Sequence, residues 1–235
     1  MGAICGLLFD KDGTLFNFQA SWGAFCANVI EELAAGEPVL MDKLSASIGY
    51  DLRTSRFSKD SPIIAGTNFE IAAVLARHLP DMTIAAIIAR LNALGAGSRM
   101  VEAVPLIPLF DDFRNRGLFL GLATNDGEVP ARAHLEQAGL TSHFDFVSGF
   151  DTGHGGKPEP GMLLAFAAAC RLRPDEVAMV GDSLHDLVAG RAAGMATVGV
   201  LTGIADAQDL AAMADVVLPD IGHLPRWLNA QIAAR

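Results

Sequence analysis

The chain has 235 residues, 51% hydrophobic and 19% charged, which suits one large domain or a domain carrying a smaller insert and excludes a disordered chain. Acids outnumber bases 27 to 17, a net charge of -10, and such a surface repels nucleic acid and anionic membrane, arguing against both as partners. No apolar run is long enough to span a bilayer, no basic segment precedes the first apolar run, and Cys5, Cys26 and Cys170 form no Cys-x-x-Cys pair; a cytoplasmic chain with reduced thiols is expected.

In chain order, "AICGLLF" (residues 3 to 9) reads as a buried strand, short, apolar and stopped by polar turn residues. The pattern then turns helical: Trp22, Phe25, Cys26, Val29, Ile30 and Leu33 share one helix face. Three more helices are expected at about 38 to 48, 67 to 79 and 82 to 94, the last capped by Asp81 or Thr83, with no clear strand among them. The Gly-rich "NALGAGSRM" (92 to 100) reads as a hinge. Beyond it strands and helices alternate. A helix "PLFDDFRNRG" leads to strand "LFLGLATN", helix "VPARAHLEQAG" and strand "FDFVSG". The loop and helix of "GKPEPGMLLAFAAACRL" precede strand "VAMVGD", helix "LHDLVAGRAAG" and strand "ATVGVLT". A short helix, strand "DVVLP" and a last helix complete the chain. The fold class is therefore α/β, a Rossmann-like parallel sheet covered on both faces, with an all-helical insert. The expected division is 1–15 and 96–235 for the core and 16–95 for the insert.

Ligands of open parallel sheets bind beyond the carboxyl ends of the strands. The first strand ends in Asp10-Lys11-Asp12, the second in Thr124-Asn125-Asp126 and the fourth in Gly181-Asp182-Ser183, with Asp186 one turn further. Lys157 lies in a loop just before a helix. Carboxylates gathered in a dry crevice do not all stay ionised without a cation. Mg²⁺, a hard ion that takes carboxylates, waters and a phosphate oxygen, resolves the conflict. Gly13 gives the backbone freedom to re-aim Asp12 after the strand.

"FDKDGTL", "ATN", "GKPEP" and "GDSLHD" resemble, in order and context, the four motifs of the haloacid dehalogenase (HAD) superfamily. The likeness covers nearly the whole chain, and the insert looks like that family's C1 cap. "AAGMATVGVLTG" and "ADVVLPDIGHLPRWL" resemble the C-terminal half of its phosphoglycolate phosphatase group and relatives, which include β-phosphoglucomutases. The resemblance implies that Asp10 is a nucleophile forming an aspartyl-phosphate and Asp12 the general acid and base. It implies that Thr124 and Asn125 bind phosphoryl oxygens and that Lys157 neutralises charge between Asp10 and the phosphoryl group. Asp10, Asp12 (through its carbonyl) and Asp182 would hold Mg²⁺, with Asp186 supporting the metal shell; Asp186 also fits a plain first-turn helix acid. An acid at position 12 sets the chain apart from the dehalogenases, phosphonatases and P-type ATPases of the superfamily. The implied activity is Mg²⁺-dependent hydrolysis of a small phosphorylated metabolite, 2-phosphoglycolate being the first guess, by a monomer or homodimer. A β-phosphoglucomutase-type phosphomutase and an idle binding module are the alternatives.

The insert is expected to choose the substrate. Its loop "GYDLRTSRFSKDSP" gathers basic residues in an acidic chain, so that Arg53 or Arg56 could meet a substrate carboxylate, or both could be solvated loop arginines. Trp22, Phe25 and Val29 read as insert core. His154 and His185 lie near the motifs, but Mg²⁺ prefers oxygen ligands. Phe16-Asn17-Phe18 departs from the Asp-Ser that many phosphoglycolate phosphatases carry after their first motif.

Overall fold

The computed structural model describes residues 3–64 and 66–233; the outermost limits expected for the core, residues 1 and 235, fall outside them. Strand β1 (Gly6–Phe9) is shorter than the apolar run that announces it and is fully buried. Helix α1 (Phe18–Leu33) starts where the Asn17 side chain accepts the Ala20 N–H at 3.0 Å, satisfying one of the free donors of a helix start. Helix α2 (Pro38–Ser47) follows, with Pro in its first turn.

Where no strand is expected, β2 (Tyr50–Asp51) and β3 (Arg56–Phe57) pair antiparallel. Two residues each are too few to show a period of two. The hairpin is made instead by Asp51, whose carboxylate accepts the Arg53 and Thr54 N–H groups, and by Tyr50 packing on Phe57 with ring centroids 4.8 Å apart.

Helix α3 (Asn68–Ala76) carries a reciprocal cap between Thr67 and Glu70 and ends before the expected 79. Helix α4 (Ile84–Ala96) is capped by Thr83. It absorbs residues 92–96 of the expected hinge, because Ile87, Leu91 and Gly95 continue one buried stripe. These helices bury an apolar cluster of their own that includes Phe18, Ile30, Leu44, Ala72, Leu75 and Ile87.

The remainder is the βα series: α5 (Leu106–Asn115), β4 (Phe119–Ala123), α6 (Glu128–Gln137), β5 (Phe146–Ser148), α7 (Gly161–Ala169), β6 (Val177–Gly181), α8 (Leu184–Ala193), β7 (Ala196–Val200), α9 (Ala207–Ala211), β8 (Val216–Leu218) and α10 (Leu224–Ala233). The six-stranded sheet has the order β5-β4-β1-β6-β7-β8 and is parallel throughout. Alternation along β1 divides its side chains between two faces. Leu7 and Phe9 join Phe110, Phe113, Leu135 and Leu224 on one side, and Leu8 joins Phe166, Met162 and Met179 on the other. Each such side chain, fully withdrawn from water, contributes about 1.5–3 kcal/mol.

β1 is central, with β4 on one flank and β6 on the other. Chain order runs outward from it in both directions, so the sheet reverses there and the crevice of a doubly wound fold opens over the ends of β4, β1 and β6. Among the described residues no helix is long and apolar enough to cross a membrane.

Candidate active site

The ends of those three strands carry Asp10, Thr124 and Asp182, all buried. Asp10 Oδ1 accepts a bond of 2.6 Å from Lys157 Nζ, which also pairs with Asp186 Oδ1 at 2.7 Å and donates to the Ala123 carbonyl at 2.7 Å. The Lys157 backbone is held on both sides by Asn125: its N–H donates to Asn125 Oδ1 at 2.8 Å, and Asn125 Nδ2 donates to its carbonyl at 2.9 Å. Thr124 Oγ1 accepts the Asp126 N–H at 3.1 Å, which fixes the turn after β4.

Asp186 is the first-turn acid of α8 and also faces the site. Its Oδ2 accepts from the Ser183 N–H and hydroxyl at 3.0 and 2.7 Å, capping α8, while Oδ1 faces Lys157. A side chain on Gly181 would collide with that carboxylate. Gly13, at φ +82°, occupies the left-handed region and brings its backbone against Asp182, where a Cβ would strike the carboxylate.

Asp12 is turned away to a different cation. Lys11, fully buried, pairs with Asp12 Oδ2 at 2.9 Å and with Asp126 Oδ2 at 3.1 Å. The two acids of the first motif, one residue apart, thus take one lysine each. Lys11 and Asp126 belong to the site though the sequence gives them no role; a lysine held at the inner end of an apolar strand, between two acids, is the one signal that could have marked the first.

One cavity of about 50 Å³ is lined by Asp10, Asp12, Thr124, Asn125, Lys157, Asp182 and Asp186. The structure thus brings all seven of the core residues expected from the motifs together. From the insert, Trp22, Phe25, Ile63, Ile64, Ile71 and Leu91 close it, with Asn68 as a polar neighbour. Trp22 and Phe25 therefore belong both to the insert core and to the cavity wall. His185 also lines it; His154 does not. A wider cleft of about 490 Å³ adjoins through Ile64, Gly66, Ser183 and His185. Arg53 and Arg56 are not brought to the cavity: both are exposed on the insert hairpin, the Arg53 side chain 94% so, and Lys157 is the one lysine or arginine among the described residues lining the cavity.

The electrostatics call for a cation. Burial pushes the Asp10 carboxyl up to about 7, against the pull of Lys157 and with further repulsion from Asp186 and Asp12. Burial, then Asp10 and Asp186, holds Asp182 well above the carboxylate range. Burial alone would lower Lys157, but Asp10 and Asp186 outweigh it and hold its amine above the usual value. Oxygens of Asp10, Asp182 and Asp186 lie within 4.8 Å of one another, and the buried Asp182 Oδ2 has no hydrogen-bond partner. An all-oxygen, carboxylate-rich set with an orphaned buried oxygen fits Mg²⁺.

A measurable consequence follows from the sign of these shifts. Asp10 binds its proton more tightly in the folded site than in the unfolded chain, so this contribution to the metal-free fold is present at low pH and lost as pH rises through about 7. A Mg²⁺ ion bound there would compete with that proton. At a concentration 100-fold above Kd it is expected to add about 2.7 kcal/mol at pH 8, or roughly 5–10 °C in Tm, and clearly less at pH 5.5; a thermal-shift titration at both pH values, with EDTA as the baseline, reads the difference.

The sequence model of the haloacid dehalogenase-like hydrolase family matches residues 5–194. The chain belongs to this family. Among curated HAD relatives, the phosphoglycolate phosphatase of Chromobacterium violaceum is 41% identical over 105 residues, 45% of this chain and 46% of that one, so the match spans about half the length of each. The phosphoglycolate phosphatase of Xylella fastidiosa strain 9a5c is 30% identical over 211 residues, covering 86% of this chain and 82% of the relative. The crystal structure of a HAD phosphatase from Thermococcus onnurineus superposes with a TM-score of 0.67 at 23% identity, over 95% of this chain and 97% of that one. At that identity it establishes the HAD fold.

Proposed function

We propose that this chain is a Mg²⁺-dependent phosphatase that hydrolyses a small phosphomonoester through an aspartyl-phosphate on Asp10. The observation that carries the reading is Asp10 held at 2.6 Å by Lys157 at the end of the central strand, with Asp12 in the same cavity but on a separate lysine. In the first step an Asp10 oxygen attacks phosphorus, the bond from phosphorus to the leaving oxygen breaks, and the Asp12 carboxyl gives that oxygen its proton. In the second, water attacks the phosphoryl group, Asp12 takes the proton, and the bond to Asp10 breaks. Lys157 offsets negative charge on the attacking oxygen and the phosphoryl group, and Thr124 and the Asn125 backbone bind phosphoryl oxygens. Asp10 and Asp182, with the Asp12 carbonyl, would hold Mg²⁺, Asp186 supporting them; the ion supplies charge neutralisation for the phosphoryl oxygens.

Residues 16–95 act in this reading as a cap that admits substrate and then excludes water. The substrate is a small cytoplasmic metabolite, and 2-phosphoglycolate is the first to test, supported by the relatives named above. The apolar insert wall and the absence of Arg53 and Arg56 from the cavity lining favour a second reading, a phosphate ester of an uncharged alkyl group. Phosphate release from a panel holding both kinds, with Mg²⁺ and with EDTA, tests the proposal. Metal-dependent release supports it, and the preferred ester tells the two readings apart. Isomerisation of a sugar phosphate without free phosphate would replace the phosphatase by a phosphomutase. No turnover of any ester despite Mg²⁺ binding would leave a binding module.

A further inference from the structure

The buried amine of Lys11 has more partners than Asp12 alone. It lies 2.9 Å from His134 Nδ1, 3.1 Å from Asp126 Oδ2 and 5.3 Å from the centre of the Trp22 ring. His134, also buried, has its Nε2 2.7 Å from the carbonyl of Gly95, in the last turn of α4. A carbonyl only accepts, so Nε2 carries the hydrogen, and Nδ1 presents its lone pair to Lys11. Asp126 Oδ1 accepts from Asn68 Nδ2 at 2.9 Å, and Asn68, the first residue of α3, also reaches Asn92 Oδ1 of α4 at 2.7 Å.

Lys11 is therefore a junction. One arm goes to Asp12; the others reach the insert at α4 through His134 and at α3 through Asp126. An apolar residue would fill this place in the core without the desolvation cost of an ammonium. Burial pulls the lysine down, but Asp12 and Asp126 outweigh it, so it stays charged. The charge is kept where it fixes a carboxylate that lines the cavity and is otherwise free to rotate.

Resting on the phosphatase reading above, we propose that Lys11 is a positioning residue that aims the Asp12 carboxylate, and that His134 and Asp126 tie this aim to docking of the helical insert. Asp12 is aimed when α3 and α4 are seated and released when they lift, so proton transfer is confined to the closed cavity.

The test separates aim from folding. A nitrophenyl phosphate leaves without needing a proton, whereas an alkyl phosphate needs the one from Asp12; the second step needs Asp12 as base with either ester. Lys11→Met and His134→Phe are expected to lower kcat on an alkyl phosphate about 100-fold, with KM changed less than about threefold. On p-nitrophenyl phosphate they are expected to give a burst of nitrophenolate and a trapped phosphoenzyme that the wild type does not accumulate. His134→Gln, whose amide can donate to Gly95 and accept from Lys11, is expected to stay within about threefold of wild type. Asn68→Ala, which leaves Lys11 and His134 in place, is expected to show the same burst in weaker form and serves if Lys11→Met does not fold. Equal loss on both esters without phosphoenzyme, or His134→Gln as impaired as His134→Phe, overturns the proposal. A wild type that releases no phosphate from any ester and forms no phosphoenzyme overturns the phosphatase reading and this one with it, a result told apart because it precedes any variant.

Discussion

Asp10→Asn is expected to stop phosphate release, by about 10⁴-fold or more, while the protein folds and becomes no less stable. The change is isosteric, and the amide oxygen can still accept from Lys157, now 2.6 Å from Asp10 Oδ1. On the proposed mechanism, what is lost is the nucleophile that carries the phosphoryl group. What is also lost is one of three mutually close buried carboxylates, Asp10, Asp182 and Asp186, of which Lys157 pairs with Asp10 and Asp186 alone. In the metal-free protein that removes repulsion, so Tm in EDTA is expected to rise at pH 8, where Asp10, titrating near 7, would otherwise be mostly ionised. Phosphate release and a melting curve on the same preparation read both effects. Release that persists, with mass spectrometry excluding reversion to Asp by deamidation, would sink the nucleophile assignment.

Lys157→Met is expected to be the second most damaging change, and by a different route. The amine touches Asp10, Asp186 and the Ala123 carbonyl, all buried, so its removal strips three acceptors of a common donor. Breaking a buried pair by deleting one partner costs about 3–5 kcal/mol. The cost is expected to be larger at pH 8 than at pH 5.5, where a stranded carboxylate takes up a proton. Turnover is expected to fall about 100- to 1,000-fold from loss of charge stabilisation alone, with Mg²⁺ recovering part of the stability but little of the rate. Denaturant melts at the two pH values and kcat at saturating ester are the measurements; a kcat within tenfold of wild type would show that Lys157 holds the site together without taking part in the chemistry.

Much of this was written in the order of residues. Short apolar runs that stop at Asp10, Asp126 and Asp182 define strands with polar ends, and alternation with helices implies a parallel sheet whose ligands sit at those ends. Seven motif residues come together because β4, β1 and β6 are neighbours, and the motifs already imply that convergence. The start of α4 was legible too, since Thr83, one of its two expected caps, bonds locally to the Ala86 N–H and needs no tertiary context.

Tertiary structure alone decided the rest, because the partners are remote in sequence. The β2–β3 hairpin is too short to carry a period and depends on an Asx turn and one aromatic contact. Residues 92–96 hold a helix despite Gly95, because Gly95 continues the buried stripe of α4 and lies within van der Waals reach of Pro130 of α6 and Phe25 of α1. Arg53 and Arg56 look like substrate ligands by composition, yet the hairpin turns them to solvent and leaves an apolar wall over Asp10. Lys11 gains its meaning from His134, 123 residues away. Local pattern fixes which backbone forms and where polar strand ends fall, since these depend on neighbours within a few residues. Which lysine each carboxylate of the first motif takes depends on residues far along the chain, Lys157 at Asp10 and Asp126 and His134 around Lys11, and only the folded chain holds that information.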